Sequence, residues 1–406
     1  MKVAYLTTCF GTQSHTFIRR EVWALRNLGV SIGLYGVRRD ASEIAADAKQ
    51  LVDETHYIYP IKPLEIIRAN LKYYAQSPLR YLKGAITAFT SKEFSLKRRA
   101  KMLYHYFLSA TIAERLKRDG ITHIHAHFMN VSASIAMYAS HHSEIPFSVT
   151  VHSAGTYNTP NILGVDQKLT SAQFLIMISH FNVEFFDAIL PCRNKSHVIR
   201  CGMNLVDFKY RGSKQQQTQS PTKLLAVGRF VEKKGFKYLI EAAHVLRERG
   251  VQFILTLIGD GPLAKQLKQL VDVYKLNDVV VFSGQRTSAE VRELMFVSDV
   301  VIVPSVTSES GEKEGLPVVI MEAMAIGVPV VASAHSGIPE IVLEEKTGYL
   351  TPEKDAQAIA DAIYKIIQHP SPEMIENAYQ LVEQSFNINR IAEQRLALFS
   401  RYHITR

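Results

Sequence analysis

Two carboxylates, Glu314 and Glu322, stand eight residues apart in the apolar run EKEGLPVVIMEAMAIG. A buried charge without a partner is costly, so acids in such a run imply either a ligand or a solvated face. Upstream, VGRFVEKKG sets Arg229 and Lys234 five residues apart. Taken alone, that pair reads equally as two solvated cations or as a clamp on an anionic leaving group. Arg offers a planar fork to phosphate oxygens and Lys a compact point charge. His152 closes the apolar run FSVTVH, where a single strand-end histidine is more often structural than chemical. His123, His125 and His127 alternate along THIHAHF, with no acid or cysteine beside them. They read as strand-end polar residues, and no metal site is expected there.

These residues need elements to position them, and the chain alternates short β-rich runs with amphipathic stretches, the pattern of doubly wound α/β domains. KVAYLTT, VSIGLYGV, THIHAHF, FSVTVH, FLIMIS and SHVIRCG read as strands of one sheet, with a helix over SHTFIRREVWALRNLG. A polar, apolar-poor stretch from Arg211 to Lys223 reads as a linker. Beyond it, LLAVG, FILTLIG, DVVVFSG, DVVIVPS, VPVVAS and TGYL alternate with helices as a second Rossmann-like sheet. A last helix, FNINRIAEQRLALFSRY, places Leu396, Phe399 and Tyr402 on one stripe. The expected organisation is therefore a domain over 1–205, a second over 206–385, and a helix over 386–406 that packs back on the first. Ligands of open α/β sheets bind beyond the carboxyl ends of the strands, and two such domains commonly hold a cleft between them.

Neither half's first strand leads into G-x-G-x-x-G, and no G-x-x-x-x-G-K-[ST] occurs, which sets aside nicotinamide dehydrogenases and P-loop kinases. GLPVVIMEAMAIG reads as a helix starting near Leu316–Pro317, since proline suits the first turn. The N–H groups of Val318 and Val319 then face out of the helix N-terminus, a natural diphosphate site. Glu314 falls in the loop before that helix, and Glu322 lies one to two turns in, leaning back toward the N-terminus. Carboxylates of this kind suit a hydroxyl-rich ring. The plainer alternative is one acid favouring the helix dipole and another on an exposed face.

The collinear set VGRFVEKKG, IGDGP, FSG, PSVTSESGEKEGLPVVIMEAMAIGVPVVAS and SGIPEIVLEEKTGYL, over roughly residues 224–355, strongly resembles the C-terminal domain of retaining family 4 glycosyltransferases of the GT-B fold. The N-terminal half is similar more loosely, through SHTFIRREV, HIHAHF and TVHSAGTYN; these features and the GEKEGLP loop look most like the branch building exopolysaccharides such as colanic acid or amylovoran. The resemblance implies two Rossmann-like domains facing each other across a cleft. It also implies transfer of a hexose-type sugar from a nucleotide-diphosphate sugar to a lipid-linked or glycan acceptor.

By position, the resemblance assigns Arg229 and Lys234 to the donor diphosphate, Glu314 to hydroxyls of the donor sugar and Glu322 to the ribose. Gly315 and Leu316 would lie along the sugar, Val318 and Val319 against phosphate, Gly228 beside the clamp, and Gly284 and Arg286 near the base. His152 would stand across the cleft near the sugar, with His127, Gly11, Ser14 and Thr16 on the acceptor side. The chain departs from the family's pattern in lacking an aspartate soon after His152 and in carrying one glycine, not two adjacent ones, at the first loop. No D-x-D is present, which agrees with a metal-free mechanism and with no cofactor beyond the co-substrate. Two other classes fit a GT-B chain: a nucleotide-sugar 2-epimerase, and a non-catalytic scaffold.

Charge is unevenly placed. Thirteen Lys and Arg lie between Lys62 and Arg118, against Glu65, Glu93 and Glu114, so that segment carries +10 in a chain of net +9. It holds LEIIRANLKYYAQSPLRYL and LKRRAKMLYHYFLSATIAERL, the second with Leu103, Phe107, Ala110 and Leu116 on one stripe. It reads either as ordinary packing with solvated basic faces or as a surface for an anionic membrane leaflet, worth up to ~1 kcal/mol per basic residue. Nucleic acid is not expected, because no binding motif accompanies the charge. Three scattered cysteines, the absence of a signal-peptide pattern and the absence of 18 consecutive apolar residues make a cytoplasmic protein the expectation, peripheral on the inner membrane face if the segment docks there.

Overall fold

The computed structural model describes residues 1–10, 16–39, 48–90, 95–152, 163–212 and 221–404. The chain divides into two units, Met1–Gly202 with Ile388–Arg406, and Met203–Asn387.

The first unit holds seven parallel strands: β1 (Lys2–Thr7), β2 (Ser31–Gly36), β3 (His56–Tyr57), β4 (His123–His127), β5 (Phe147–Val151), β6 (Phe174–Met177) and β7 (Ser196–Val198). Their order is β3-β2-β1-β4-β5-β6-β7. The second unit holds β8 (Thr222–Val227), β9 (Phe253–Ile258), β10 (Val280–Gly284), β11 (Val300–Val303), β12 (Val330–Ser333) and β13 (Tyr349–Thr351). These run parallel in the order β10-β9-β8-β11-β12-β13. Both orders are that of a doubly wound Rossmann sheet, and each reverses at one point, between β1 and β4 and between β8 and β11. The central strands are apolar throughout because helices cover both faces; every residue of β11 and β12 is buried.

Strands and helices fall where hydrophobic periodicity puts them, with one omission. β3 is only two residues long, too short to leave a periodic signal. The linker reading needs correction at its start. Residues 213–220 lie outside those described, but Arg211 is pinned within the second unit. Its guanidinium donates to the carbonyls of Gly327, Phe296 and Ser298 at 3.2, 2.9 and 2.6 Å.

The helix Ile388–Ile404 belongs to the first unit and packs against the helix Thr16–Asn27. Ile391, Phe399 and the fully buried Arg395 enter that unit's core. Between β3 and β4 the first unit adds three helices, Pro63–Gln76, Pro78–Phe89 and Leu96–Arg118. The stripe foreseen on the third one is ordinary packing. Ala110 and Leu116 are buried, and Leu103 and Phe107 are packed against the same core.

Candidate functional site

In the second unit, the strands flanking the reversal lead into the residues with chemical potential. β8 ends at Val227, and Gly228 and Arg229 follow. The chain then makes one tight turn, Glu232–Lys234, and enters the helix Phe236–Glu248 through Gly235. Only glycine fits there. Its φ is +65°, and a Cβ would fall 1.8 Å from the carbonyl oxygen of Pro304, just past β11. This close approach presses the Lys234 turn against the loop that follows β11. A backbone bond from Val306 N–H to the Lys233 carbonyl (2.9 Å) and one from Glu309 N–H to the Glu232 carboxylate (2.8 Å) tie the same two segments together.

As a result, Lys234 Nζ lies 2.6 Å from Glu314 Oε2. Lys233 Nζ stands 3.8 Å from the other oxygen of Glu314 and 3.7 Å from Glu312. Burial by itself raises the Glu314 carboxyl, but the opposing charges of Lys234 and Lys233, with the Lys234 hydrogen bond, hold it below its ordinary value. Gly228 also has a steric role: a Cβ there would touch the Lys234 side chain at 3.3 Å.

Immediately beyond Glu314, Gly315 and Leu316 lead to Pro317 and the helix Val318–Ile326. The helix starts two residues later than Leu316, with Pro317 at its N-cap, so Val318 and Val319 supply its first N–H groups. The N-terminus of this nine-residue helix thus follows the Lys234–Glu314 pair within a few residues. Glu322 is partly exposed on the same helix.

Three residues holding this loop are absent from the sequence reading. The Glu314 N–H donates to His335 Nε2 at 3.0 Å. A backbone N–H can only donate, so Nε2 is the bare nitrogen and Nδ1 carries the proton, which it gives to Glu353 Oε1 at 2.6 Å. Glu353 in turn accepts from the Thr307 N–H at 2.6 Å. Burial raises the Glu353 carboxyl, but the bonds from His335 and Thr307 outweigh it and keep it below its ordinary value. Thr307, His335 and Glu353 each lie just past the carboxyl end of a strand, β11, β12 and β13, and that position is the one signal that could have found them.

Among the described residues, the other expected ones make no ion pair or hydrogen bond with this pair. Arg229 is exposed and makes no ion pair or side-chain hydrogen bond among the described residues. Gly284 ends β10 with φ +69°. Arg286 is exposed and pairs with Glu290 at 3.1 Å, beside the capping box that starts the next helix.

In the first unit, Gly11 and Ser14 lie outside the described residues, as does the stretch after His152. Thr16 is the first residue of its helix. His152 and His127 are both buried, with His127 Nδ1 3.0 Å from His152 Nε2. His152 Nδ1 contacts Cys201 Sγ at 3.5 Å, and its ring sits 4.6 Å from each of Phe17 and Phe128. Burial pushes the Cys201 thiol up to about 12, which makes it a poor nucleophile.

The alternating histidines of β4 are not strand-end polar groups, a correction with a clear physical reason. β5 pairs with β4 and supplies hydroxyls in register. His123 and His125 share Ser148 Oγ at 2.7 Å each, and His125 reaches Thr150 Oγ1 at 2.7 Å. Glu21, His125 and His127 bring possible ligand atoms within 4.8 Å of one another. The Arg395 guanidinium already serves this cluster, at 3.0 Å from both Glu21 and Thr150. A cation placed there would meet that charge.

The family profile described as "Glycosyl transferases group 1" matches residues 211–381. WcaL of Escherichia coli, named for colanic acid biosynthesis as a glycosyltransferase, is 30% identical, covering 96% of this chain and 98% of its own. The amylovoran biosynthesis glycosyltransferase AmsK of Erwinia amylovora is 29% identical over 98% of each chain. Among solved structures, Anabaena HepE in complex with UDP superposes with a TM-score of 0.74 at 20% identity, over 99% of this chain and all of that one.

Proposed function

The chain belongs to the group 1 glycosyl transferases, and from that premise we propose how it works: it moves a sugar from a nucleotide-diphosphate sugar to a lipid-linked or glycan acceptor. It is a glycosyltransferase of exopolysaccharide biosynthesis, with two Rossmann-like domains of the GT-B type. The observation that carries the reading is the Lys234–Glu314 pair at the β8/β11 reversal, next to a helix N-terminus.

An ammonium has three donors, so Lys234 can keep Glu314 and still bond a diphosphate oxygen. The first N–H groups of the Val318–Ile326 helix offer the second anion contact, and the exposed Arg229 a third. Glu314 accepts hydroxyl protons from the sugar, and Glu322 those of the ribose. As the bond from the anomeric carbon to phosphate breaks, negative charge grows on the leaving diphosphate. Lys234, Arg229 and the helix terminus stabilise it in place of a divalent metal. The acceptor oxygen bonds to the anomeric carbon from the face the phosphate leaves, and its proton passes to that phosphate, so configuration is retained. UDP bound by the Anabaena relative makes uridine nucleotides the first donors to try.

Among the described residues no helix is long and apolar enough to cross a membrane. The +10 segment supports a peripheral position on an anionic leaflet, where a lipid-linked acceptor resides.

Transfer from a panel of nucleotide sugars into lipid-extractable product, in EDTA, tests this reading. Lys234→Ala should reduce it by about 10²–10³-fold with the fold intact, and added divalent metal should not restore it. Unchanged turnover in that variant would overturn the assignment.

A further inference from the structure

We propose that the helices Pro63–Gln76 and Pro78–Phe89 form a membrane-docking pair that seats its two apolar rows in the interface of an anionic bilayer. The proposal deepens the peripheral reading given above, but neither its argument nor its test depends on catalysis.

A surface helix ordinarily buries its large apolar side chains and shows solvent its polar ones. Here the outward face is apolar as well. Leu64, Ile67, Leu71 and Tyr74 recur at intervals of three, four and three, and all are exposed, Leu64 by 77%. After the single intervening residue Ser77, Leu79, Leu82, Ile86 and Phe89 repeat the same spacing, and these too are exposed, Leu79 by 85%. The inward faces bury Ala69, Tyr73, Gly84 and Ala88, and Ile66 and Tyr81 pack against the same core. A Cβ on Gly84 would fall 2.7 Å from the Tyr106 hydroxyl, so this helix lies hard against its neighbour.

The rows are held in place. Asn70 Nδ2 donates to the Phe107 carbonyl at 2.9 Å, Tyr81 donates to Asn70 Oδ1 at 2.8 Å, and Tyr106 donates to the Tyr81 carbonyl at 2.8 Å. The outward leucines are therefore presented by a fixed scaffold, not left behind by a fraying end. Rows of large apolar side chains exposed on a fixed scaffold mark an interaction site.

Charge selects the occupant. Lys62, Arg68 and Lys83 are exposed along the two helices, which contain one acid, Glu65; the exposed Lys72 is paired with Glu114 at 2.8 Å. Lys97 and Lys101 continue the basic character into the next helix, beside exposed Leu96 and Tyr104. A second copy of this chain would bring like charges together. An anionic bilayer meets both features at once, accepting leucines below the headgroups and lysines among them. Helices of 14 and 12 residues are too short to span, so they lie in the interface.

Flotation of the full chain with vesicles tests this. The wild type should float with phosphatidylglycerol-containing vesicles and hardly at all with pure phosphatidylcholine. The quadruple variant Ile67→Gln/Leu71→Gln/Leu79→Gln/Ile86→Gln should lose about tenfold or more in partitioning at low salt. Lys62→Gln/Arg68→Gln/Lys83→Gln should weaken binding similarly, and both variants should keep the wild-type thermal unfolding profile. Wild type that does not float, or a quadruple variant that floats as well as wild type, would overturn the helix pair as a docking element. A concentration-dependent dimer in sedimentation that the quadruple variant abolishes would assign the rows to a second copy instead. Lost transfer with intact flotation would count against the enzymatic reading alone.

Discussion

Lys234 and Glu314 are joined by a 2.6 Å contact, and their chemistry sets a pH dependence. The carboxyl is held below its ordinary value of 4.5 in the folded state, so protonation favours unfolding. Its contribution is fully present above about pH 4.5 and is lost as pH falls through the lower folded value. Glu314→Gln should therefore cost roughly 1–3 kcal/mol at pH 7, the worth of a hydrogen bond to a charged group. The gap from wild type should close below pH 4.5, as read by denaturant unfolding at a series of pH values. A gap constant down to pH 3 would show that the pair does not set this dependence. Lys234 and Glu314 were legible in the sequence because they flank glycine turns next to apolar strands. Their direct bond was not, because eighty positions separate them and the Gly235–Pro304 approach, with the hydrogen bonds beside it, brings them together only in the fold.

At the scale of elements, the ends of β11, β12 and β13 are stitched by Thr307, His335 and Glu353. This stitch fixes the backbone of Glu314, and with it the entry to the Val318–Ile326 helix. His335 is thus a positioning residue. His335→Ala should lower kcat with little change in donor KM. His335→Gln should restore part of it, since its amide can accept from the Glu314 N–H and donate to Glu353. Equal losses in both variants would remove the positioning role. Strands and most helices were readable from apolar runs and periodicity, since a parallel sheet buries its strands on both faces. The stitch was not, because single polar residues at strand ends carry no periodic signal. The β4 histidines show the reverse failure. Their alternation was visible, but the hydroxyls of β5 that satisfy them are invisible without the register.

Across the whole molecule, the chain's last helix completes the first unit. Arg395 is fully buried and pairs with Glu21, itself buried and hydrogen-bonded from Tyr5 at 2.6 Å. Burial raises the Glu21 carboxyl despite the opposing guanidinium, so the pair depends on Arg395 to stay charged. Arg395→Met should destabilise the first unit by about 3–5 kcal/mol, and adding Glu21→Gln should recover part of that loss. Nucleotide binding by the second unit should be unaffected. On the function proposed above, the second unit grips a nucleoside diphosphate with Lys234 and a helix N-terminus, without metal. Thermal shift of the full chain against nucleoside diphosphates in EDTA tests it most directly. At one hundred times its Kd, the correct nucleotide should stabilise wild type by ~2.7 kcal/mol, and Lys234→Ala should lose that shift at the same concentration. No shift with any nucleoside diphosphate, or an equal shift in Lys234→Ala, would contradict the account.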